Sequence, residues 1–151
     1  MRALVQRVAR ARVTVDGEET GAIGPGFLVL LGIHGTDTEA VAAWMAKKLV
    51  QLRVFADAEG KMNRSLRDVA GEALVVSQFT LYADSSRGNR PSYIDAAPPV
   101  LAEPLYERFM ALMAAELGRP VARGRFGADM AVELLNDGPV TLLIERQASD
   151  G

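Results

Sequence analysis

The strongest constraint on the fold is an unbroken apolar run over residues 27–33. A run without alternation is typical of a central strand that is buried on both faces. A second apolar run over residues 74–76 predicts another buried strand, whose character changes abruptly at its end. Ser77, Gln78 and Thr80 bring hydroxyl and amide groups, and a polar loop follows at residues 84–91. A buried strand that ends in small polar groups is a common way to build a site, although an ordinary strand end explains the same pattern.

The first of two predicted helices begins with a capping box. Thr36 is predicted to be the N-cap, with Glu39 three residues later. Apolar residues then recur at helical spacing at Val41, Met45 and Leu49. We interpret this helix as a cover for the sheet rather than as part of a site.

The second predicted helix follows a proline-rich break at residues 95–99. Pro98 or Pro99 is predicted to start it, and Gly118 is predicted to cap its end. Its apolar stripe is predicted to contain Leu101, Leu105, Phe109, Leu112 and Leu117.

The remaining segments predict a single α+β domain. Strands are predicted at residues 1–8, 11–16, 54–55, 61–63, 72–77, 130–135 and 140–145, and the last two form a hairpin-like pair. Strands and helices do not alternate regularly, which favours a mainly antiparallel, strongly curved or barrel-like sheet with two covering helices. The domain is predicted to span residues 1–151, with residues 146–151 as a frayed tail.

The composition argues against several kinds of site. The chain has no cysteine and one histidine, His34, so thiolate chemistry, a Ser-His-Asp triad and a multi-histidine metal centre are disfavoured. We therefore expect no metal and no cofactor. No segment has the apolar length of a membrane span, and together with the lack of cysteine this predicts a cytoplasmic protein that does not bind membranes.

The charge pattern favours no DNA partner. The formal net charge is -2, so the chain has no global basic field. A local phosphate-binding patch remains one interpretation of the arginines at 87, 90, 119, 123 and 125, and a solvated surface is the other.

Three segments in order carry a resemblance to a known family. They read Ser-Gln-Phe-Thr-Leu-Tyr-Ala-Asp at 77–84, Gly-Arg-Phe-Gly-Ala-Asp-Met at 124–130 and Asn-Asp-Gly-Pro-Val-Thr at 136–141. With the start Met-Arg-Ala-Leu-Val-Gln-Arg-Val at 1–8, the chain resembles the D-aminoacyl-tRNA deacylases, also called D-tyrosyl-tRNA deacylases. The resemblance covers residues 1 to about 145.

The resemblance implies a function and a set of site residues. It implies hydrolysis of the ester of tRNA carrying a D-amino acid, or glycine attached by mistake, by a homodimer. It also implies that Ser77, Gln78, Phe79 and Thr80 line the pocket. A cis peptide bond between Gly138 and Pro139 would enter the pocket of the partner subunit and reject L-amino acids.

The chemistry of an aminoacyl ester fits these residues without an acid–base pair. The ester is already activated, so backbone N–H groups of Phe79 and Thr80 could stabilise the oxyanion while water attacks. A Thr80 nucleophile would need a nearby base, and no His or Lys is evident for that role. We therefore favour water, assisted by the ribose 2′-hydroxyl of the substrate, with Thr80 orienting it or lining the pocket.

Several further residues receive supporting roles. Met62, Phe79 and Tyr82 could stack on the terminal adenine, although core packing explains Phe79 and Tyr82 equally well. RNA contacts are assigned to Arg87, Arg90 and Arg125. Support of the Gly-Pro segment across the dimer is assigned to Arg7 and Met130, and Asn136 is expected to support the same motif. Two other functions compete with the deacylase: a module that binds RNA 3′ ends without chemistry, and a structural dimer whose Gly-Pro segment is only exchanged between subunits.

Overall fold

A computed structural model describes residues 1–150 as one mixed sheet, one small hairpin and two helices. In chain order the elements are β1 (Arg2–Val15), β2 (Glu18–Ile23), β3 (Gly26–Gly32), α1 (Glu39–Gln51), β4 (Phe55–Ala56), β5 (Met62–Arg64), β6 (Glu72–Ser77), α2 (Pro99–Leu117), β7 (Ala122–Arg123) and β8 (Ala131–Glu145). Short 3-10 turns lie at Phe79–Tyr82 and Ala148–Asp150. The strands predicted at residues 1–8 and 11–16 are therefore one continuous strand.

Strand β1 organises the sheet, whose order is β2-β1-β3-β6-β7 with β8 also paired to β1. Residues 2–8 of β1 pair with β3 and residues 11–15 pair with β2, while β8 runs antiparallel along nearly the whole of β1. The sheet curls until β2 reaches β7, where the Thr20 hydroxyl donates a 3.2 Å hydrogen bond to the Arg123 carbonyl. The predicted α+β fold with a curved, nearly closed sheet and two helices is confirmed.

The sheet is mixed, which corrects the prediction of a mainly antiparallel one. Strand β6 pairs in parallel with both β3 and β7. Parallel neighbours need a long crossover connection, and the chain between β3 and β6 supplies one that contains α1. The continuous apolar runs of β3 and β6 match this buried, parallel position.

The N-terminus of α1 differs from the predicted capping box. The N-cap is Thr38, whose hydroxyl accepts a 3.3 Å hydrogen bond from the Val41 N–H. Thr36 lies in the preceding loop, where its N–H donates to Nδ1 of His34 at 3.1 Å. The carboxylate of Asp37 accepts the His34 N–H at 2.8 Å, so this loop is already fixed by its own hydrogen bonds and the helix starts two residues later.

Helix α2 begins and ends as predicted, and most of its predicted apolar stripe faces the core. It starts at Pro99 and ends at Gly118, whose φ of 82° is the left-handed cap conformation. The buried residues are Ala102, Tyr106, Phe109, Met110, Met113 and Leu117. Leu101, predicted to face the core, is 54% exposed. Of the other predicted stripe residues, Phe109 and Leu117 are buried, and Leu105 and Leu112 are partly buried against the core.

Both faces of the sheet are packed with apolar side chains. The larger cluster joins the sheet to α1 and α2, and a smaller one fills the inside of the curl with Val8, Val13, Leu28, Leu74 and Val76 among others. Within residues 1–150 no helix combines the length and apolar character needed to cross a membrane.

The start of the predicted frayed tail is held against the body of the protein. The Arg146 N–H donates to the Met1 carbonyl at 3.0 Å, and the Arg146 guanidinium lies 4.6 Å from the Trp44 ring centre. Residues 148–150 form the second 3-10 turn. Gly151, the last residue of the predicted tail, lies outside the described residues.

Tyr106 links α2 to β6 and generates a test of this packing. It is fully buried, and its hydroxyl donates a 2.9 Å hydrogen bond to the Val75 carbonyl. Burial raises the pKa of Tyr106 from 10.0 to about 12. The folded protein therefore keeps this proton over a pH range in which the unfolded chain loses it, so stability falls as the pH rises from about 10 to about 12.

We expect Tyr106→Phe to lower the free energy of unfolding by about 1 kcal/mol at pH 7, because one buried hydrogen bond is lost. The same variant should lose less stability than the parent protein between pH 10 and pH 12, since the raised pKa of Tyr106 is gone. Urea unfolding at a series of pH values measures both effects. Identical pH dependence in the two proteins would show that Tyr106 is not the group responsible.

Candidate active site

A cavity of about 610 Å³ opens at the carboxyl end of β6. Ser77, Gln78 and Phe79 form one wall. The other walls come from the end of β3, from β6, from the segment before α2, from α2 itself, from the chain leading into β8 and from the start of β8. Their residues are Ile33, Val76, Tyr93, Ala96, Ala97, Pro98, Pro99, Ala102, Phe126, Gly127, Ala128, Asp129, Met130 and Val132. Three of the four residues predicted to be catalytic therefore lie in one cavity.

The backbone leaves the sheet at this point and exposes two donors. The last hydrogen bond between the strands joins the Gln78 N–H to the Leu31 carbonyl at 2.7 Å. The chain then enters the 3-10 turn Phe79–Tyr82, in which the N–H groups of Leu81 and Ala83 are bonded. Within residues 1–150 the N–H groups of Phe79 and Thr80 have no acceptor, as expected for the first positions of such a turn. They are free to bind an oxygen that carries negative charge.

Thr80 lies beside the cavity rather than in its wall. Its side chain is exposed, and its hydroxyl accepts a short hydrogen bond from the Gln78 side-chain amide. No His or Lys within residues 1–150 is hydrogen-bonded to this hydroxyl. The geometry therefore offers Thr80 no base.

Two aromatic side chains stand at the mouth of the cavity. Phe79 is 55% exposed, and its ring lies edge-on to that of Tyr93 with 5.1 Å between the centres. Sequence reasoning missed Tyr93, which is brought here because Asp84 and Ser92 pair through two 2.8 Å backbone hydrogen bonds and close the loop between them. The available signal was an aromatic residue directly after the arginine-containing loop.

Tyr82 and Met62 lie away from this cavity. The Tyr82 ring is 8% exposed, with the Arg2 guanidinium 4.5 Å from its centre and the His34 ring 5.4 Å away. Burial raises the pKa of Tyr82. A ring enclosed in this way offers no open face to a base, so core packing describes Tyr82 better than stacking does. Met62 is exposed on β5 and does not line the cavity.

The segment before β8 supplies a further part of the cavity wall. The Gly124 N–H donates to the Val75 carbonyl at 3.1 Å, which anchors the segment to β6. A Cβ atom at Gly124 would lie 2.6 Å from the Met130 sulfur, so a larger residue there would displace the Met130 side chain from its present position. Met130 thus belongs to the cavity wall in its own chain.

The Gly-Pro segment is a bulge rather than the tip of a hairpin, which corrects the predicted pairing of residues 130–135 with residues 140–145. Both halves of β8 pair with β1 instead: residues 131–135 with residues 10–14, and residues 141–145 with residues 2–6. The register shifts between them, where the chain projects from the sheet edge. The Gly138–Pro139 peptide bond in this bulge is cis, and the φ of Gly138 is 119°.

Arg7 and Asn136 hold the base of the bulge. The Asn136 side-chain amide donates to the carbonyls of Arg7 and Val140, both at 3.0 Å, and so ties the two ends of the bulge to β1. The Arg7 guanidinium donates to the Asp137 carbonyl at 3.2 Å and to the Val54 carbonyl at 2.5 Å. Arg7 and Asn136 therefore contact the Gly-Pro segment of their own chain, whereas the support expected from Arg7 was across the dimer.

The bulge and the cavity do not meet within one chain. Gly138 and Pro139 are exposed, and neither lines the cavity. A single chain therefore brings together Ser77, Gln78, Phe79 and Met130 but leaves the Gly-Pro bulge facing solvent.

The arginines considered for phosphate binding differ in whether they form an ion pair within the chain. Arg87, Arg90 and Arg125 are exposed and have no ion pair among the described residues. Arg123 instead pairs with Glu107, so it is already neutralised. No group of three or more His, Asp or Glu side chains within the described part of the chain could hold a metal ion.

Comparison with known proteins gives consistent matches over nearly the whole chain. The family model described as D-Tyr-tRNA(Tyr) deacylase matches residues 4–145. A protein of Chlorobaculum parvum named D-aminoacyl-tRNA deacylase is 58% identical over 145 residues, which cover 96% of this chain and 97% of that protein. A protein of Salinibacter ruber with the same name is 56% identical over 150 residues, which cover 99% of this chain and 100% of that protein.

Two solved structures share the fold. One, described as c-Myc DNA Unwinding Element Binding Protein, has a TM-score of 0.90 and 44% identity, covering 98% of this chain and 100% of that chain. The other, described as a probable eukaryotic D-amino acid tRNA deacylase, has a TM-score of 0.82 and covers 95% of this chain and 97% of that chain. At 17% identity this second match shows only that the fold is shared.

The role of Asn136 can be tested separately from any activity. We expect Asn136→Asp to lower the free energy of unfolding by about 1–3 kcal/mol, because a carboxylate cannot donate to the Arg7 and Val140 carbonyls. Asn89→Asp makes the same charge change in an exposed loop and serves as the control. Urea unfolding measures the free energy of unfolding of both variants. Equal values would show that the Asn136 side chain does not stabilise the base of the bulge.

Proposed function

The chain belongs to the D-Tyr-tRNA(Tyr) deacylase family, and on that premise we propose that it hydrolyses the ester bond of D-aminoacyl-tRNA. The products are a free D-amino acid and tRNA. The observation that carries this proposal is the cavity at the end of β6, with two unbonded backbone N–H groups next to it. Glycine attached to tRNA is proposed as a second substrate, because it has no side chain that a chiral filter could reject.

In the proposed mechanism, water attacks the ester carbonyl. Negative charge develops on the carbonyl oxygen, and the N–H groups of Phe79 and Thr80 stabilise it as an oxyanion hole. The 2′-hydroxyl of the terminal ribose assists the water and the leaving 3′-oxygen. Thr80 acts as an orienting group, which fits its hydrogen bond to Gln78 and its lack of a base.

Rejection of L-amino acids is assigned to the Gly138–Pro139 bulge of a second copy of the chain. The bulge is exposed and does not line the cavity of its own chain, so a homodimer would let it complete the site of its partner. Its backbone carbonyls would accept hydrogen bonds from the substrate α-ammonium group, and an L side chain would collide with it. Contacts with the main-chain atoms of the bulge distinguish the two configurations at the substrate Cα, whichever side chain the amino acid carries.

The outer edge of β8 supports this association. Among residues 1–150, β8 pairs only with β1, which leaves its other edge unpaired. Leu134, Leu135 and Leu143 on this strand are 37%, 46% and 53% exposed. An unpaired edge that carries exposed apolar side chains is a typical association surface.

Contacts with the tRNA are assigned to groups around the cavity mouth. Phe79 is proposed to stack on the terminal adenine, and Tyr93 joins it in this role. Arg87, Arg90 and Arg125 are exposed and available for phosphates. Met62 could reach the RNA only outside the cavity. A tRNA substrate also fits the cytoplasmic location expected from the sequence.

Hydrolysis of matched D- and L-tyrosyl-tRNA tests the proposed function. We expect release of D-tyrosine at least about a hundredfold faster than release of L-tyrosine, equivalent to about 3 kcal/mol in the transition state. A module that only binds RNA 3′ ends would instead protect the ester from spontaneous hydrolysis. Thr80→Ala should keep the rate within about threefold. Loss of turnover together with a trapped aminoacyl-Thr80 adduct would show that Thr80 is the nucleophile.

We expect Gly138→Ala to lower activity or discrimination by about tenfold or more. A Cβ atom at this position would lie 2.6 Å from an Arg7 guanidinium nitrogen, and its φ of 119° disfavours any L side chain. Gly17→Ala is the matched control, because Gly17 also has a positive φ but a Cβ atom there meets nothing within 4 Å. Unchanged rejection of L-tyrosyl-tRNA by Gly138→Ala would contradict the assignment.

Mixed dimers test whether the bulge acts on the partner subunit. Gly138→Ala alters the bulge, and Ala96→Trp fills the cavity. If the bulge acts in the partner, co-expression of the two variants creates one intact site in each mixed dimer and restores about a quarter of the parental activity. The mixed dimers are isolated with a different affinity tag on each variant. If they show no restored activity, the bulge acts on the cavity of its own subunit and the assignment to the partner is wrong.

A further inference from the structure

The 3-10 turn that carries the two unbonded N–H groups is bonded to the sheet near both of its ends. Before the turn, the Gln78 N–H donates to the Leu31 carbonyl on β3 at 2.7 Å. Near its end, Nη1 of Arg2 donates a 2.7 Å hydrogen bond to the Leu81 carbonyl. Carbonyls in the last turn of a helix lack partners within the helix, and the guanidinium supplies one here. Since Arg2 is the first residue of β1, the turn is tied to two neighbouring strands.

The Arg2 side chain is itself held by two further contacts. Its Nε forms a 2.9 Å ion pair with Glu145, the last residue of β8. Its guanidinium carbon lies 4.5 Å from the centre of the Tyr82 ring, which belongs to the same 3-10 turn. A planar guanidinium that contacts a carboxylate, a ring and a carbonyl at once has a defined orientation. Arg2 therefore fixes the end of the turn relative to β1 and β8.

A glycine allows the turn to lie directly on the sheet. Gly32 is the last residue of β3 and pairs with Arg2 across the sheet. A Cβ atom at Gly32 would lie 3.0 Å from the Leu81 Cβ and 3.1 Å from the Gln78 carbonyl oxygen. Carbon atoms normally approach non-bonded neighbours to about 3.5–4.0 Å, so a larger residue would push the turn off the sheet. The turn is thus packed against Gly32 and bonded to Arg2.

We propose that Arg2 is a positioning residue that acts on the oxyanion hole through the Leu81 carbonyl. This inference rests on the proposed function and deepens it. The turn is a short hydrogen-bonded unit, in which the Ala83 N–H bonds to the Thr80 carbonyl at 3.0 Å. A movement of the Leu81 carbonyl therefore also moves the N–H groups of Phe79 and Thr80. Stabilisation of an oxyanion depends on donors that are already in place, so a displacement of a fraction of an ångström lowers the rate.

The role of Arg2 predicts a specific kinetic effect. Arg2 does not line the cavity, so it makes no contact with a ligand there and acts only through the backbone. The negative charge on the carbonyl oxygen is small in the bound ester and large in the transition state. Loss of Arg2 should therefore lower kcat for D-tyrosyl-tRNA with little change in KM.

Two ligands that resist hydrolysis separate these states in the full-length protein. The amide 3′-deoxy-3′-(D-tyrosylamino)adenosine keeps a neutral carbonyl and represents the bound substrate. The 3′-adenosyl ester of the phosphonate analogue of D-tyrosine has a tetrahedral, negatively charged centre and represents the transition state. Isothermal titration calorimetry gives the dissociation constant of each ligand for the parent protein and for Arg2→Met, which removes the guanidinium but keeps a long side chain.

We expect Arg2→Met to lower kcat about tenfold and to weaken binding of the phosphonate about tenfold, with KM and the affinity for the amide within about twofold. Arg2→Lys should recover part of both losses, because an ammonium can still donate to the Leu81 carbonyl. Arg108→Met is the control. It removes an ion pair with Glu39 that joins the two helices outside the cavity, and it should change none of these values.

Gly32→Ala displaces the same turn without altering Arg2, so the proposal remains testable if Arg2→Met does not fold. We expect the same selective loss of kcat and of affinity for the phosphonate. Gly35→Ala is its control, because a Cβ atom there meets nothing within 4 Å. Thermal melting of each variant verifies that it is folded.

Three results would overturn the role of Arg2. Equal weakening of both ligands by Arg2→Met would mean that the residue maintains the shape of the cavity and not the position of the donors. Parental kcat and phosphonate affinity in Arg2→Met, or in Gly32→Ala, would mean that the donors do not depend on how the turn is held. Hydrolysis of D-tyrosyl-tRNA by the parent protein is measured in parallel. Its absence refutes the proposed function, whereas normal hydrolysis with any of the three results refutes the Arg2 assignment alone.

Discussion

The parallel pairing of β6 with β3 is the constraint on which the site depends. It holds β6 between β3 and β7 up to Ser77, and the Gln78 N–H completes the pairing with β3 by bonding to the Leu31 carbonyl. Beyond that bond the backbone has no neighbouring strand to pair with and turns into a 3-10 segment. The two N–H groups at the start of that turn are unbonded because the ladder ends there. A single backbone transition thus fixes the cavity wall and supplies its donors.

The second constraint is the register between β1 and β8. Each half of β8 is paired to β1, so the extra residues between the halves must leave the sheet as a bulge. Asn136 bonds to carbonyls on both sides of this bulge, and Arg7 contacts it from β1. The exposed segment is therefore held by the strand that pairs with β3, the neighbour of β6. The two halves of the proposed site are fixed by one sheet although they lie apart in the chain that carries them.

Much of this arrangement could be predicted from the sequence, and the failures have physical causes. The apolar runs located β3 and β6, and the spaced motifs gave the family, which the comparisons confirm. Thr36 was mistaken for the N-cap because side-chain hydrogen bonds of the preceding loop, centred on Asp37, are not visible as spacing. Residues 130–145 were interpreted as a hairpin because Asn-Asp-Gly-Pro is typical of a turn. A turn between two strands and a bulge within one strand have the same local sequence. They differ in pairing, because here both halves of the segment pair with β1 and not with each other.

The same reasoning explains why Tyr93 escaped notice. It is ordinary in its local sequence and reaches the cavity through a contact made elsewhere, the pairing of Asp84 with Ser92. The rings of Phe79 and Tyr93 and the two unbonded N–H groups of Phe79 and Thr80 lie together because two separate backbone constraints meet at this cavity. One is the end of the ladder at Gln78, and the other is the loop closure between Asp84 and Ser92.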